Sequence, residues 1–249
     1  MTVQRIDVDG QSATPTDVAT PAVINFGHYT SMQVRRHRVR GIAAHLDRLV
    51  FQTRELFDTE LDADQVRAWI RQAIEESPDA AVRVNVFRRS PDGPVSVMVT
   101  VRSPYDPPSK PQRLWTVPYQ RPVPHIKHVG TFGQIYYGRL AVGRGYDDAL
   151  LTAADGTISE TTAANIGFFV DGAVRWPDAP CLVGTAMALL GGERVPVRVA
   201  DLPTMAGAFL ANSNGIVAVG QIDELTLPID EGLMRSVRDR YDALPWDPI

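Results

Sequence analysis

Of the 25 basic residues in this 249-residue chain only two are lysines, Lys110 and Lys127, so chemistry that needs a primary side-chain amine has two possible seats. Lys110 lies in SPYDPPSKPQ, a run with four prolines in ten residues, where the backbone is denied both helix and ladder donors and the side chain is expected in water. Lys127 stands in HIKHVG, after a strand-like segment and the prolines Pro122 and Pro124, and before a helical one. A lysine at such a junction is ordinarily solvated. The residues downstream of Lys127 are less ordinary. The chain runs through a helix, a glycine, the short apolar strand DALLT and an Asp-Gly turn into ISETTAANIGFF. There Glu160 ends a short strand among small hydroxyl and alanine residues, and Asn165 closes the turn.

Other chemistries lack their signatures. His125 and His128 are three apart, but Lys127 lies between them and no carboxylate is near in sequence, so no metal site is expected. There is no GxGxxG, no GxxxxGK[ST] and no GxSxG. Cys181 is the sole cysteine, which rules out an intramolecular disulfide and any all-cysteine metal site and suits a reducing, cytosolic address. A net charge of −4 removes the bulk electrostatic footprint of a general nucleic-acid binder. The start, MTVQRIDVDG, has no apolar leader core, and no apolar run approaches a membrane span, so neither nucleic acid nor membrane is expected as a partner.

The order of Lys127, helix, GYDDALLTAADG and ISETTAANIGFF closely resembles the class IV, fold-type IV pyridoxal-phosphate enzymes: branched-chain aminotransferases, D-amino-acid aminotransferases and aminodeoxychorismate lyase. The likeness runs from about Phe26 to Asp223. It implies pyridoxal 5'-phosphate as cofactor, with Lys127 forming the internal aldimine and Glu160 on the pyridine nitrogen, in a motif that Asn165 closes. In HLDRL it places Arg48 on the cofactor phosphate, with His45 beside it. Tyr29, His45 and Arg88 fall on the set that grips the substrate carboxylate, although Arg88 could be exchanged with Arg89. Two further phosphate-binding segments map to Gly184, Thr185 and Ala186 at a helix start, where backbone N–H groups suit an anion, and to Asn212 and Ser213 in a later loop.

Three positions depart from the family pattern. Ala186 stands where threonine is usual, Phe132 where branched-chain enzymes carry a tyrosine, and Asn212 where aminotransferases often have threonine and the lyases asparagine. The resemblance implies transfer of an amino group between an amino acid and a 2-oxo acid. A lyase-like β-elimination from aminodeoxychorismate and a non-catalytic binding or scaffold protein are the alternatives. It also implies a homodimer and an α/β (α+β) architecture of two domains with the cofactor between them, a smaller N-terminal α/β domain and a larger one with a mixed, β-barrel-like sheet.

The elements that must position these groups can be read independently. Strand character covers Val23 to Arg36, then a turn from His37 to Gly41. Apolar residues at i, i+3, i+4 spacing predict a helix from near Ala43 through Phe57 and a second after Asp62 or Asp64, carrying Val66, Trp69, Ile70, Ala73 and Ile74 on one face. AVRVNVFRR and PVSVMVTVR predict a hairpin through Ser90-Pro91-Asp92-Gly93. The proline-rich stretch is the expected linker, giving domains 1–102 and 113–249 joined by 103–112. Beyond it, strands are expected at RLWTVPYQR, DALLT, TISETTA, NIGFFV, AVRWP, VPVRV and GIVAVGQID. Helices are expected from Phe132 to Arg144, around Ala186 to Leu190, and near Thr204 to Ala208.

Overall fold

The computed structural model describes residues 2–90 and 92–249, so Pro91 of the expected hairpin turn lies outside the described residues. The chain divides into two compact units: Met1–Tyr105 with Ile126–Gly130 and Pro245–Ile249, and Asp106–His125 with Thr131–Leu244. A single cut in the proline-rich stretch therefore does not describe the division. Tyr29 N–H donates to the Lys127 carbonyl at 2.9 Å and Val129 N–H to that of Gly27 at 2.9 Å, which ties the lysine's segment to the first unit.

The first unit is an antiparallel sheet of seven strands carrying helices. Its strands are β1 (Val3–Val8), β2 (Gln11–Ser12), β3 (His28–Arg35), β4 (Arg38–Arg40), β5 (Ala80–Arg88), β6 (Val95–Arg102) and the C-terminal Trp246–Pro248. They lie in the order C-terminal strand, β4, β3, β5, β6, β1, β2. Its helices are α1 (Pro15–Val23), α2 (Ile42–Phe57) and α3 (Ala63–Ala73). Alternation decides the faces. His28, Thr30, Met32 and Val34 of β3 are buried while the residues between them are half-exposed. Val82, Val84 and Val86 of β5 join Leu49, Val66, Ile70 and Ile74 in one core cluster. Each such side chain contributes about 1.5–3 kcal/mol by burial. Asp62 caps α3, accepting the Gln65 N–H at 3.0 Å.

The second unit is built on a nine-stranded mixed sheet: β7 (Gln112–Pro118), β8 (Asp148–Thr152), β9 (Ile158–Thr161), β10 (Asn165–Val170), β11 (Ala173–Pro177), β12 (Glu193–Val195), β13 (Ala208–Asn212), β14 (Gly215–Ile222) and β15 (Leu225–Thr226). Strand β7 is parallel to both β8 and β14, and β11 to β12; the other pairs are antiparallel. Its helices are α4 (Phe132–Gly143), α5 (Thr185–Leu190) and α6 (Glu231–Asp242). Leu150, Ile158, Ile166, Phe168 and Val219 form one core cluster. Phe169, Trp176, Phe209 and Ala218 pack with Met187 of α5 and Met234 and Val237 of α6 in another.

Several expectations are corrected. Strand β3 begins at His28, not Val23. Pro15–Val23 is helical, opened by a Thr14–Asp17 capping box, and Val23, Ile24 and Phe26 are exposed, so their apolar character marks no sheet position. VPVRV forms a strand only through Val195, and Val199–Thr204 is a 3-10 turn in place of the helix expected near Thr204. The last helix, Glu231–Asp242, has Asp230 as its N-cap, and its three buried residues Met234, Val237 and Tyr241 form a thin stripe that escaped the sequence reading. Among the described residues no helix is long and apolar enough to cross a membrane.

Candidate active site

The first unit holds the amine. Lys127 is half-buried; its backbone N–H donates to Gln52 Oε1 at 3.2 Å, and its Nζ lies 4.8 Å from the centroid of the Tyr29 ring. Strand β3 and helix α2 together fix the groups around it. Thr30 points under α2, where its hydroxyl meets His45 Nδ1 at 2.6 Å. Arg48, one turn on from His45, donates through Nη2 to Thr30 Oγ1 and, at 3.2 Å, to His45 Nδ1. A guanidinium can only donate, so the Arg48 bond needs the Nδ1 lone pair and His45 is a neutral imidazole. Burial and the charges of Arg48 and Lys127 hold its pKa well below the usual histidine range.

Arg48 is itself unusual. Burial lowers its pKa to about 10. Its Nε is buried with no hydrogen-bond partner, and among the described residues no carboxylate is paired with it. A desolvated guanidinium fork facing only neutral groups is a receptor for a doubly charged anion.

Tyr29 and Lys127 come together, but the expected substrate set of Tyr29, His45 and Arg88 does not. In β5, Asn85 is opposite Tyr29 and Val84 opposite Thr30, so Arg88 shares its side with Val86 and Val84, away from the Tyr29 face. Its Nη2 donates to the Phe57 carbonyl at 2.8 Å and to Thr59 Oγ1 at 2.9 Å, at the end of α2. His45 is 1% exposed and serves Arg48 and Thr30. The guanidinium over the Tyr29 ring is Arg83, 3.6 Å from its centroid.

The second unit holds the carboxylate. Glu160 is next to last in β9, opposite Leu151, with every residue of that strand buried. Its Oε1 accepts from Arg121 Nη1 at 3.2 Å and from the Leu182 N–H at 3.4 Å. Arg121 also donates to the Pro124 carbonyl. Asn165 uses both ends of its amide on the loop before α5: Nδ2 donates to the Leu182 carbonyl at 2.7 Å and Oδ1 accepts the Gly184 N–H at 3.0 Å. A Cβ at Gly184 would lie 2.4 Å from that Oδ1. Thr185 opens α5 with its hydroxyl buried and unpaired, whereas Ala186 turns into the core cluster. Asn212 donates to the Ala163 carbonyl at 3.3 Å and accepts the Asn214 N–H at 2.9 Å; Ser213 beside it is half-buried. Phe132, at the start of α4, is 80% exposed. Cys181 is buried near Glu160, and burial, then that carboxylate, pushes its thiol up to about 11. No group of three potential metal ligands occurs among the described residues.

Arg121, Thr30, Gln52 and Arg83 escaped the sequence reading. Each is one polar residue in a strand, helix or loop of an arginine-rich chain, and only pairing across elements distinguishes them.

Residues 27–222 match the family model described as amino-transferase class IV, which is most of the chain. The chain belongs to that family. No curated protein sequence matches this class IV aminotransferase. Solved structures do. A hypothetical aminotransferase from Mycobacterium tuberculosis in its PLP-bound form is 21% identical with a TM-score of 0.82, over 97% of this chain and 98% of the other. The branched-chain amino acid aminotransferase of Escherichia coli is 15% identical with a TM-score of 0.82, over 98% and 95%. A Legionella pneumophila protein proposed to be a 4-amino-4-deoxychorismate lyase is 20% identical with a TM-score of 0.76, over 85% and 88%. These likenesses establish the fold, the mixed α/β fold-type IV architecture. Class IV aminotransferases use pyridoxal phosphate, and transaminases and a lyase stand among the neighbours.

Proposed function

We propose that this class IV aminotransferase is a pyridoxal-phosphate-dependent transaminase that moves an amino group between an amino acid and a 2-oxo acid, with Lys127 as its catalytic amine. The observation that carries the reading is the desolvated Arg48 fork, without a carboxylate and in the same unit as the Lys127 amine. The residues present fit the cofactor. Arg48 Nε in the first unit is a buried donor that lacks a partner, as a group awaiting phosphate oxygens would be; in the second unit Thr185 Oγ1 is likewise buried and unpaired.

When bound, the cofactor supplies a carbonyl carbon for amine exchange and a ring that withdraws electrons from the substrate Cα. The rest is the work of this chain. Arg48 binds the phosphate dianion, held in place by Thr30 and His45. The Gly184–Thr185–Ala186 turn offers backbone N–H groups and the Thr185 hydroxyl to a phosphate; Ala186 needs no hydroxyl there, because its side chain belongs to the core. Asn165 sets the shape of that turn, and the Asn212–Ser213 loop adds further donors. Glu160, paired with Arg121, would face the pyridine nitrogen and hold a proton there. Lys127 Nζ would be the base that takes the proton from the substrate Cα.

The test is direct. Wild-type protein should acquire a visible absorbance band with pyridoxal phosphate and lose it on adding an amino acid, and borohydride should fix the cofactor to it. Lys127→Ala should do neither. Identical behaviour of the two proteins would overturn the reading.

A second reading, β-elimination from aminodeoxychorismate, is favoured by Asn212, whose amide is tied to the turn after Glu160 through Ala163. Pyruvate release without an amino acceptor would select it. A non-catalytic scaffold would instead melt at the same temperature with and without the cofactor. A homodimer and a cytosolic address belong to the same proposal. The exposed Phe132, Ile135, Tyr136 and Val142 of α4 fit burial against a second copy, which size-exclusion chromatography with light scattering can check.

A further inference from the structure

A cavity of about 370 Å³ opens in the second unit between the β10–β11 hairpin and helix α6, and it shares no residue with the candidate active site. Its floor is apolar: Phe169 of β10 and Val237 of α6 are 2% and 1% exposed. Val174 of β11 and Leu233 of α6, both half-buried, continue that surface. Leu233, Ser236, Val237 and Arg240 recur at i, i+3, i+4 and i+7, so a single face of α6 brings two apolar groups, a hydroxyl and a guanidinium to the cleft. Gly192 keeps one corner open. It has φ +122°, and a Cβ there would lie 2.9 Å from Trp176 Nε1, so a larger residue is excluded. Two cations line the cleft, Arg175 of β11 and Arg240, and no carboxylate does. Arg240 donates through Nη2 to the Leu190 carbonyl at the end of α5, which steadies its guanidinium and leaves further N–H groups for an acceptor. Arg175 pairs with Glu193 of the neighbouring β12 at 3.3 Å, but that carboxylate is 63% exposed, and an ion pair so wet holds its members weakly.

We propose that this cleft is a second ligand site, one that takes an organic carboxylate with a compact apolar body. Arg240 binds the carboxylate, with Arg175 and the Ser236 hydroxyl as neighbouring donors, and the body rests on Phe169, Leu233 and Val237. The make-up of the walls selects this class. A small inorganic anion would leave the apolar floor in water, and a neutral molecule would leave two guanidinium groups without an acceptor. A cation would meet like charge on two sides. The volume, near the lower end of the roughly 300–1,000 Å³ of small-molecule pockets, limits the body to a single ring or a short branched chain. Because the cleft and the candidate active site have no residue in common, the site stands whether or not the transaminase reading does.

The experiment titrates the full chain with benzoate, benzyl alcohol and acetate while NMR follows the methyl groups of Leu233 and Val237. Pyridoxal phosphate is kept present to occupy the candidate active site. Benzoate should shift both methyls saturably, with a Kd about tenfold or more below those of the alcohol, which lacks the charge, and of acetate, which lacks the ring. Arg240→Gln should weaken benzoate by about tenfold, the worth of one charge-assisted hydrogen bond. Ser236→Leu leaves both cations in place and fills the cleft from an exposed helix position where leucine is a good helix former. It should abolish the shifts, and it decides the matter if Arg240→Gln loosens α5. Methyls that do not respond, an equal response to benzyl alcohol, or undiminished benzoate binding in both variants would overturn the proposal.

Discussion

Arg121 and Glu160 form a buried ion pair, Nη1 to Oε1 at 3.2 Å, with side chains 6% and 7% exposed. Removing one partner of such a pair leaves an uncompensated charge in a site closed to water and costs about 3–5 kcal/mol. Arg121→Gln should therefore lower the stability of the cofactor-free protein by roughly that amount in urea unfolding. Arg121→Gln with Glu160→Gln should recover much of the loss, since neither charge is then stranded. Strict additivity of the two substitutions would show that the pair is not coupled.

Arg48 should behave in the opposite sense. It is a desolvated cation without a carboxylate, so Arg48→Gln is expected to cost the cofactor-free protein little or to stabilise it. The same change should weaken pyridoxal-phosphate binding by about ten- to a hundredfold, the worth of charge-assisted hydrogen bonds to phosphate. Equilibrium dialysis for the cofactor and thermal melts of the cofactor-free protein test the two halves separately.

His28 makes stability depend on acid. Burial, and then the charge of Arg48, lower its pKa to about 3, and its Nε2 pairs with Thr53 Oγ1 at 2.9 Å. The unfolded chain, with an ordinary histidine near 6.5, binds more protons than the folded one between those values. The contribution of His28 is thus fully present above about pH 6.5 and is lost as pH falls toward 3, amounting to about 2 kcal/mol between pH 7 and pH 5. His45 adds in the same direction. Chemical unfolding at both pH values should show a smaller drop for His28→Gln than for wild type, by about that 2 kcal/mol.

Gly167 in β10 is held to glycine by packing. A Cβ there would lie 2.4 Å from Phe209 Cζ, and that ring is fully buried between Phe169 and Trp176. Gly167→Ala should cost about 1–3 kcal/mol, because the ring has no open space to move into. A melting temperature equal to wild type would contradict this.

How much of this was legible in the sequence depends on what a residue's neighbours are. Helices α2 and α3 are legible because apolar residues recur with period 3.6, and strands β5 and β6 because valines recur at every second residue, Val82, Val84 and Val86 and then Val97, Val99 and Val101. Helix α1 was hidden because it buries nothing and contains Pro21. Lys127, Glu160 and Arg48 stood out through residue type, order and a family resemblance. Arg121 beside Glu160 and Arg83 over Tyr29 did not, because those pairs join residues far apart in the chain. Arg88 was misplaced for a simpler reason: a shift of one residue along a strand turns a side chain to the opposite face.

The five residues Ile126–Gly130 and the tail Pro245–Ile249 belong with the first unit although long stretches of the second precede them. Residues 106–244 therefore carry every segment of the second unit, whereas the first needs segments from both sides of it. A product ending at Tyr105 would lack Lys127 and leave β4 without the neighbour that Trp246–Pro248 provides. The first sheet is thus completed by a strand that follows the whole of the second unit in sequence.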